Sequence, residues 1–168
     1  MRWPMRLLLF NALMWIVLIL VLSYAWAGNG PPLRPNPVLT PGAINASIGK
    51  AQICDPHWHT KTERPDVDYT TKLKTKQLAA RAYPSRNKAL YEEDHLIPLE
   101  IGGNPTSPKN LWPQVWAGKC GAHVKDRLEN KLRELVCAGK VDLNRAQLEI
   151  AADWVAAFNK YMGPLACP

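Results

Sequence analysis

The chain has 168 residues, 47% hydrophobic and 21% charged, with a formal net charge of +7. That length admits one domain with an appended segment and excludes a large multidomain enzyme. The mixed charge and apolar content exclude a disordered polyelectrolyte, and the basic balance is compatible with a phosphate-rich partner or an anionic surface.

Arg2 and Arg6 precede an almost unbroken apolar run over 7–27 that no acid interrupts. It ends Ala25-Trp26-Ala27 before Gly28, a small-x-small cleavage pattern. Residues 1–27 therefore read as a signal peptide. The run is also long enough to span a bilayer, so the competing reading is an uncleaved anchor attaching the chain to a membrane through 7–27. The two arginines favour an N-in orientation in both cases. The rest of the chain is expected to be secreted or periplasmic, or anchored with its domain outside the cytoplasm.

Residues 28–44 carry Pro31, Pro32, Pro35, Pro37 and Pro41 and read as a Pro-rich linker. The remaining 45–168 make the domain. Residues 48–54 are expected as a short strand, and 55–68, with His57, Trp58 and His59, as a polar loop. A basic helix is expected over 69–83, and a mostly strand-like stretch over 90–101. Gly102-Gly103-Asn104-Pro105 is a turn. Residues 107–113 lead into a Gly-containing loop. Val124, Leu128, Leu132, Leu135 and Val136 recur at helical spacing from about Gly121, and Ala138-Gly139 ends that helix. Asp142 can cap a further helix with the stripe Leu143, Ala146, Ile150, Trp154 and Ala157. Trp112 and Trp154 read as core. Cys54, Cys120, Cys137 and Cys167 form an even set behind an export signal, which predicts two disulfides with three pairings open.

The chemistry concentrates in Asp94-His95, the Gly-Gly turn and Asn110-Leu111-Trp112. A phosphodiester hydrolase needs a base for water, and neutral His serves near neutral pH. It needs positive charge beside the crowded phosphorus and the leaving oxygen, which a divalent metal supplies. The metal needs a carboxylate close to the base. An amide side chain returned by the turn can clamp the loop that holds the His. A second metal ligand must come from another element, naturally the following helix.

At these residues the sequence resembles the HNH endonucleases, the ββα-metal or His-Me finger family. The resemblance is closer to exported bacterial members with Glu-Glu-Asp-His-Leu-Ile-Pro-Leu-Glu-x-Gly-Gly, then Asn-Leu-Trp-Pro-Gln, Lys-Asp-x-x-Glu and Val-Cys-Ala-Gly. Here these are Glu92 to Gly103, Asn110 to Gln114, Lys125-Asp126 with Glu129, and Val136 to Gly139. Ile53-Cys54, Trp58-His59-Thr60 and Arg64-Pro65 extend it over roughly 41–161.

The resemblance implies an α+β fold with a ββα-metal core and flanking helices. It implies a metal-dependent endonuclease, with His95 as general base, Asp94 as metal ligand and Asn110 positioning the His95 loop. One divalent ion is implied, Mg²⁺ first, then Mn²⁺, Ni²⁺ or Zn²⁺. The usual helix ligand would fall near Lys119, which cannot serve while charged. Asp126 is the first choice for that role, Glu129 the second and His123 next, with Asn130 also a candidate. Lys72, Lys76, Lys125 and Arg127 are the expected phosphate contacts. The substrate is nucleic acid, DNA ahead of RNA, read with little sequence preference because no recognition element is visible. The alternative is a catalytically silent envelope-binding or structural domain of the same fold. A toxin or phage-related lysis factor is a third reading, but no peptidoglycan-hydrolase constellation is evident.

Overall fold

The computed structural model describes residues 32–80 and 83–167. The segment read as a leader or anchor lies outside them. Among the described residues no helix is long and apolar enough to cross a membrane. Among the described residues the fold is mixed α+β, with five α-helices around a two-stranded antiparallel sheet. In chain order these are α1 (Lys50–Ile53), α2 (Val67–Ala80), β1 (Tyr91–His95), β2 (Leu111–Val115), α3 (Ala122–Cys137), α4 (Leu143–Ala152) and α5 (Trp154–Met162).

The strands pair from Tyr91 against Val115 to His95 against Leu111. Strand residues alternate faces, so Glu92 and Asp94 share one face with their cross-strand neighbours Gln114 and Trp112. A two-stranded sheet is all edge, and α2 blunts it. Lys74 Nζ donates to the Tyr91 carbonyl at 2.9 Å, and Gln77 Nε2 to the Leu111 carbonyl at 3.0 Å.

The core lies between α3, α4, α5 and the connection 96–110. Leu128, Leu132 and Val136 of α3, Ala146 and Ile150 of α4, and Trp154 of α5 are fully buried in one cluster. Each large aliphatic side chain there contributes roughly 2 kcal/mol by leaving water. Trp154 also donates its indole N–H to the Leu33 carbonyl, and Trp112 is as deeply buried as Trp154.

Several local expectations are corrected. Residues 48–54 hold the short helix α1, entered from extended Gly49, with Ile53 turned into the core. The strand over 90–101 stops at His95. Beyond it the backbone is claimed by other partners, Leu96 N–H by the Asn110 carbonyl and Ile97 N–H by the Asn110 side chain. Residues 111–115 are the second strand rather than loop. The long C-terminal helix is two, because Asp153 is extended and its carboxylate caps Val155 and Ala156 at the start of α5. Asp142 caps α4 as expected, accepting from Arg145 N–H. The Pro-rich stretch is packed from residue 32 onward. Thr40 is buried, Gly42 N–H bonds the Lys109 carbonyl, and Ile44 bridges Gly103.

Two disulfides join Cys54 to Cys137 and Cys120 to Cys167. Both fasten α3, one just before its first turn and one at its last residue. No cysteine is free. That is the pattern of a chain matured in an extracellular or otherwise oxidising compartment.

Candidate active site

His95 ends β1, half-buried, with Nε2 3.0 Å from the Pro105 carbonyl. A carbonyl only accepts, so Nε2 carries the hydrogen. The neutral ring then keeps its lone pair on Nδ1. Burial pulls the imidazole pKa below its ordinary 6.5, while the Pro105 carbonyl and the Asp94 carboxylate resist. The ring is therefore neutral at pH 7.

Asn110 holds the loop that delivers Pro105. It is fully buried and uses every side-chain bond it has. Its Oδ1 accepts from Ile97 N–H at 2.9 Å and Ala43 N–H at 3.3 Å. Its Nδ2 donates to the Ile97 carbonyl at 2.9 Å and the Asn104 carbonyl at 3.0 Å. Gly103 makes this approach possible, because a Cβ there would sit 1.8 Å from the Ile97 carbonyl oxygen. Gly102 turns the chain at φ +78, a left-handed conformation that glycine adopts without strain. The Tyr69 hydroxyl of α2 donates to the Thr106 carbonyl and closes the loop from the other side.

Asp94 is satisfied from below. Lys125 is 0% exposed, and its ammonium donates to Asp94 Oδ2 at 2.8 Å, the His95 carbonyl at 2.7 Å and Glu129 Oε1 at 2.5 Å. Three donors meet three acceptors. Burial alone would lower the Lys125 pKa, but Asp94 and Glu129 outweigh it and keep the ammonium charged.

Above these groups opens a cleft of about 330 Å³. One wall is acidic: Glu92, Asp94, Glu100, Asp126 and Glu129. From α2 and the turn before it, Arg64, Thr70, Thr71 and Lys74 also line the cleft. Burial, then the charges of Asp94 and Asp126, push Glu92 up to about 7. Burial and the same neighbouring charge raise Asp126. Glu92 Oε2, the Trp112 indole N–H and both Gln114 amide atoms are buried without a hydrogen-bond partner. All three residues share the Asp94 face of the sheet. Negative charge here exceeds what Lys125 neutralises.

The expected site residues divide accordingly. Asp94, His95, Asp126 and Glu129 meet at the cleft, with Asn110 behind the loop. His123 does not join them: its Nδ1 lies 2.7 Å from the Trp116 carbonyl, beside the Trp116 ring. Lys125 is no phosphate contact, because it is sealed inside. Arg127 turns toward α5, its guanidinium over the Phe158 ring. Lys72 and Lys76 are exposed on α2 but do not line the cleft, whereas Lys74 does. His57 and His59 are exposed around buried Trp58. Sequence reasoning did not name Arg64, Lys74 or Pro105 as site residues; Lys74 follows Thr71 by three positions and Thr70 by four, and that spacing was the available sign of a shared helix face.

No family model matches the sequence, and no curated protein or solved structure matches it either.

Proposed function

We propose that this chain is an exported, metal-assisted phosphodiester hydrolase of the HNH type, acting on nucleic acid with little sequence preference. The observation that carries it is His95, with Nε2 tied to the Pro105 carbonyl, lining a cleft beside Asp94. The β1–loop–β2–α3 order supports a ββα core.

The donor set suits a hard divalent cation. The orphaned Glu92 oxygen and the raised carboxyls of Glu92 and Asp126 mark charge that lacks a counter-ion. Among the described residues no three His, Cys, Asp or Glu side chains are already grouped to hold a metal. Mg²⁺ needs only one or two carboxylates, with water and substrate phosphate filling the rest. Asp94 would hold it, with Asp126 or Glu92 as the second ligand; Glu129 is bound to Lys125. When bound, the ion would supply positive charge at the scissile phosphate and the leaving oxygen.

The chain's own groups do the remaining work. Nδ1 of His95 accepts a proton from the attacking water, whose oxygen bonds to phosphorus as the ester oxygen departs. Pro105 holds the ring as it becomes cationic. Arg64 and Lys74 also line the cleft, where they can meet flanking phosphates.

The test is cleavage of plasmid and single-stranded DNA and of RNA by the oxidised protein with Mg²⁺ or Mn²⁺, beside His95→Ala and a chelated sample. Loss of at least about a hundredfold in His95→Ala is expected. Equal cleavage by both proteins removes His95 from the reaction. A second reading, a silent domain of this fold, is favoured by Lys125, which satisfies Asp94 and Glu129 internally. It predicts no cleavage by the wild type with any metal.

A further inference from the structure

A lysine with no exposed surface and no spare donor is an unusual feature, because burying an ammonium is costly unless its partners are fixed. Here the partners are the carboxylate of Asp94, the main-chain carbonyl of His95 and the carboxylate of Glu129. Adjacent strand residues send their side chains to opposite faces. One ammonium nevertheless grips both: residue 94 by its side chain, residue 95 by its backbone. It holds Asp94 through Oδ2, which leaves Oδ1 for the cleft. It also fixes the peptide that carries the imidazole. Glu129, one helical turn on, fixes the ammonium in return.

We propose that Lys125 is a positioning residue for the proposed hydrolysis: a built-in cation that dictates which Asp94 oxygen faces a divalent ion and holds His95 in register with it. The proposal rests on the reading of the site as a metal-assisted hydrolase. It separates two jobs of positive charge. The ammonium is permanent and structural to the site; the exchangeable ion acts at the substrate. The ammonium also opposes the exchangeable ion electrostatically, so it gains geometry at the expense of metal affinity.

Two quantities move in opposite directions if this is right. Lys125→Met keeps the length of the side chain and removes its charge. With the repulsion gone, Mn²⁺ should bind the oxidised protein about tenfold more tightly, measured by electron paramagnetic resonance of free Mn²⁺ without substrate. With Asp94 and His95 released, kcat should fall about a hundredfold per folded molecule. A lysine that merely stabilised the fold would lower the folded fraction and leave kcat per folded molecule unchanged. Lys125→Met strands two carboxylates, so Lys125→Met/Glu129→Gln is made beside it, with folding checked by near-UV circular dichroism. The double variant should show the same fall in kcat, with a smaller gain in Mn²⁺ affinity because Glu129→Gln also removes a carboxylate that lines the cleft. Wild-type cleavage with unchanged Mn²⁺ affinity and kcat in the folded variants overturns this proposal alone. A wild type that neither cleaves nor binds Mn²⁺ overturns the functional reading and this proposal with it.

Discussion

Asn110 and His95 are coupled through two successive carbonyls: Asn110 Nδ2 bonds the carbonyl of Asn104, and the next carbonyl, of Pro105, meets the imidazole. Asn110→Ala removes four hydrogen bonds at once and strands buried backbone groups at Ile97, Ala43 and Asn104. The expected loss is about 3 kcal/mol or more of stability. Urea denaturation under oxidising conditions measures it, and a loss below about 1 kcal/mol would show that the clamp is dispensable.

Gly103→Ala attacks the same loop by shape alone. The added methyl would overlap the Ile97 carbonyl, which is backbone and cannot swing aside. The substitution should destabilise by about 2 kcal/mol or more and broaden or shift the His95 imidazole signals in NMR spectra. At Gly118 an added methyl would meet nothing within 4 Å, although φ there is +95. Gly118→Ala therefore meets backbone strain without a clash and should leave the His95 signals in place.

On the proposed function, the acid limb of cleavage would follow from His95. Burial holds its pKa below 6.5, and the base must be neutral, so cleavage should rise along a limb centred below 6.5. A limb centred clearly above 6.5 would point to another base. In stability the same shift acts in the usual direction for a buried imidazole. The unfolded chain binds the extra proton between the folded value and 6.5, so stability increases as pH rises through that window.

Glu92 works the other way. Its folded value of about 7 exceeds the ordinary 4.5 because of burial, then Asp94 and Asp126. The stabilising contribution is full below 4.5 and is lost as pH rises through about 7, because the folded chain keeps a proton that the unfolded chain has released. A divalent cation at these carboxylates relieves that penalty. Mg²⁺ or Mn²⁺ should therefore raise Tm more at about pH 8 than at about pH 5, and equal rises at both would separate the cation from Glu92 and Asp126.

The site's local half was legible in the sequence because its signals are local. Asp94-His95, the Gly-Gly turn and Asn110 lie within one short stretch, and α3 announced itself by its apolar spacing. The direction of Lys125 was not legible. Charged residues beside a buried stripe usually face water, and only the position of β1 against α3 reveals three acceptors converging there. The split at Asp153 was hidden for a similar reason. The apolar stripe runs on through Trp154 and Ala157, so periodicity passes over a residue whose carboxylate makes a better cap than a helix interior. Arg64 and Lys74 became part of the cleft only once α2 was packed against β1 and β2.

The disulfides offer a graded test. In the chain-entropy account, Cys54–Cys137 spans 83 residues and Cys120–Cys167 spans 47, so each should stabilise by about 4 kcal/mol, the former by slightly more. Paired Cys→Ala variants in urea would measure this. The larger loss is expected from Cys54→Ala/Cys137→Ala, and the reverse order would make strain or local packing the deciding factor.

The element that presents Lys125 and Asp126 is thus bolted at its two extremities by bonds that only an oxidant can close. A newly made chain in a reducing milieu has neither bolt. Closing both bonds is expected to complete the alignment of its acidic wall. On the proposed function, maturation of the cleft would be clocked by the compartment, and a hydrolase assembled on this plan would stay unfinished beside its own cell's nucleic acid.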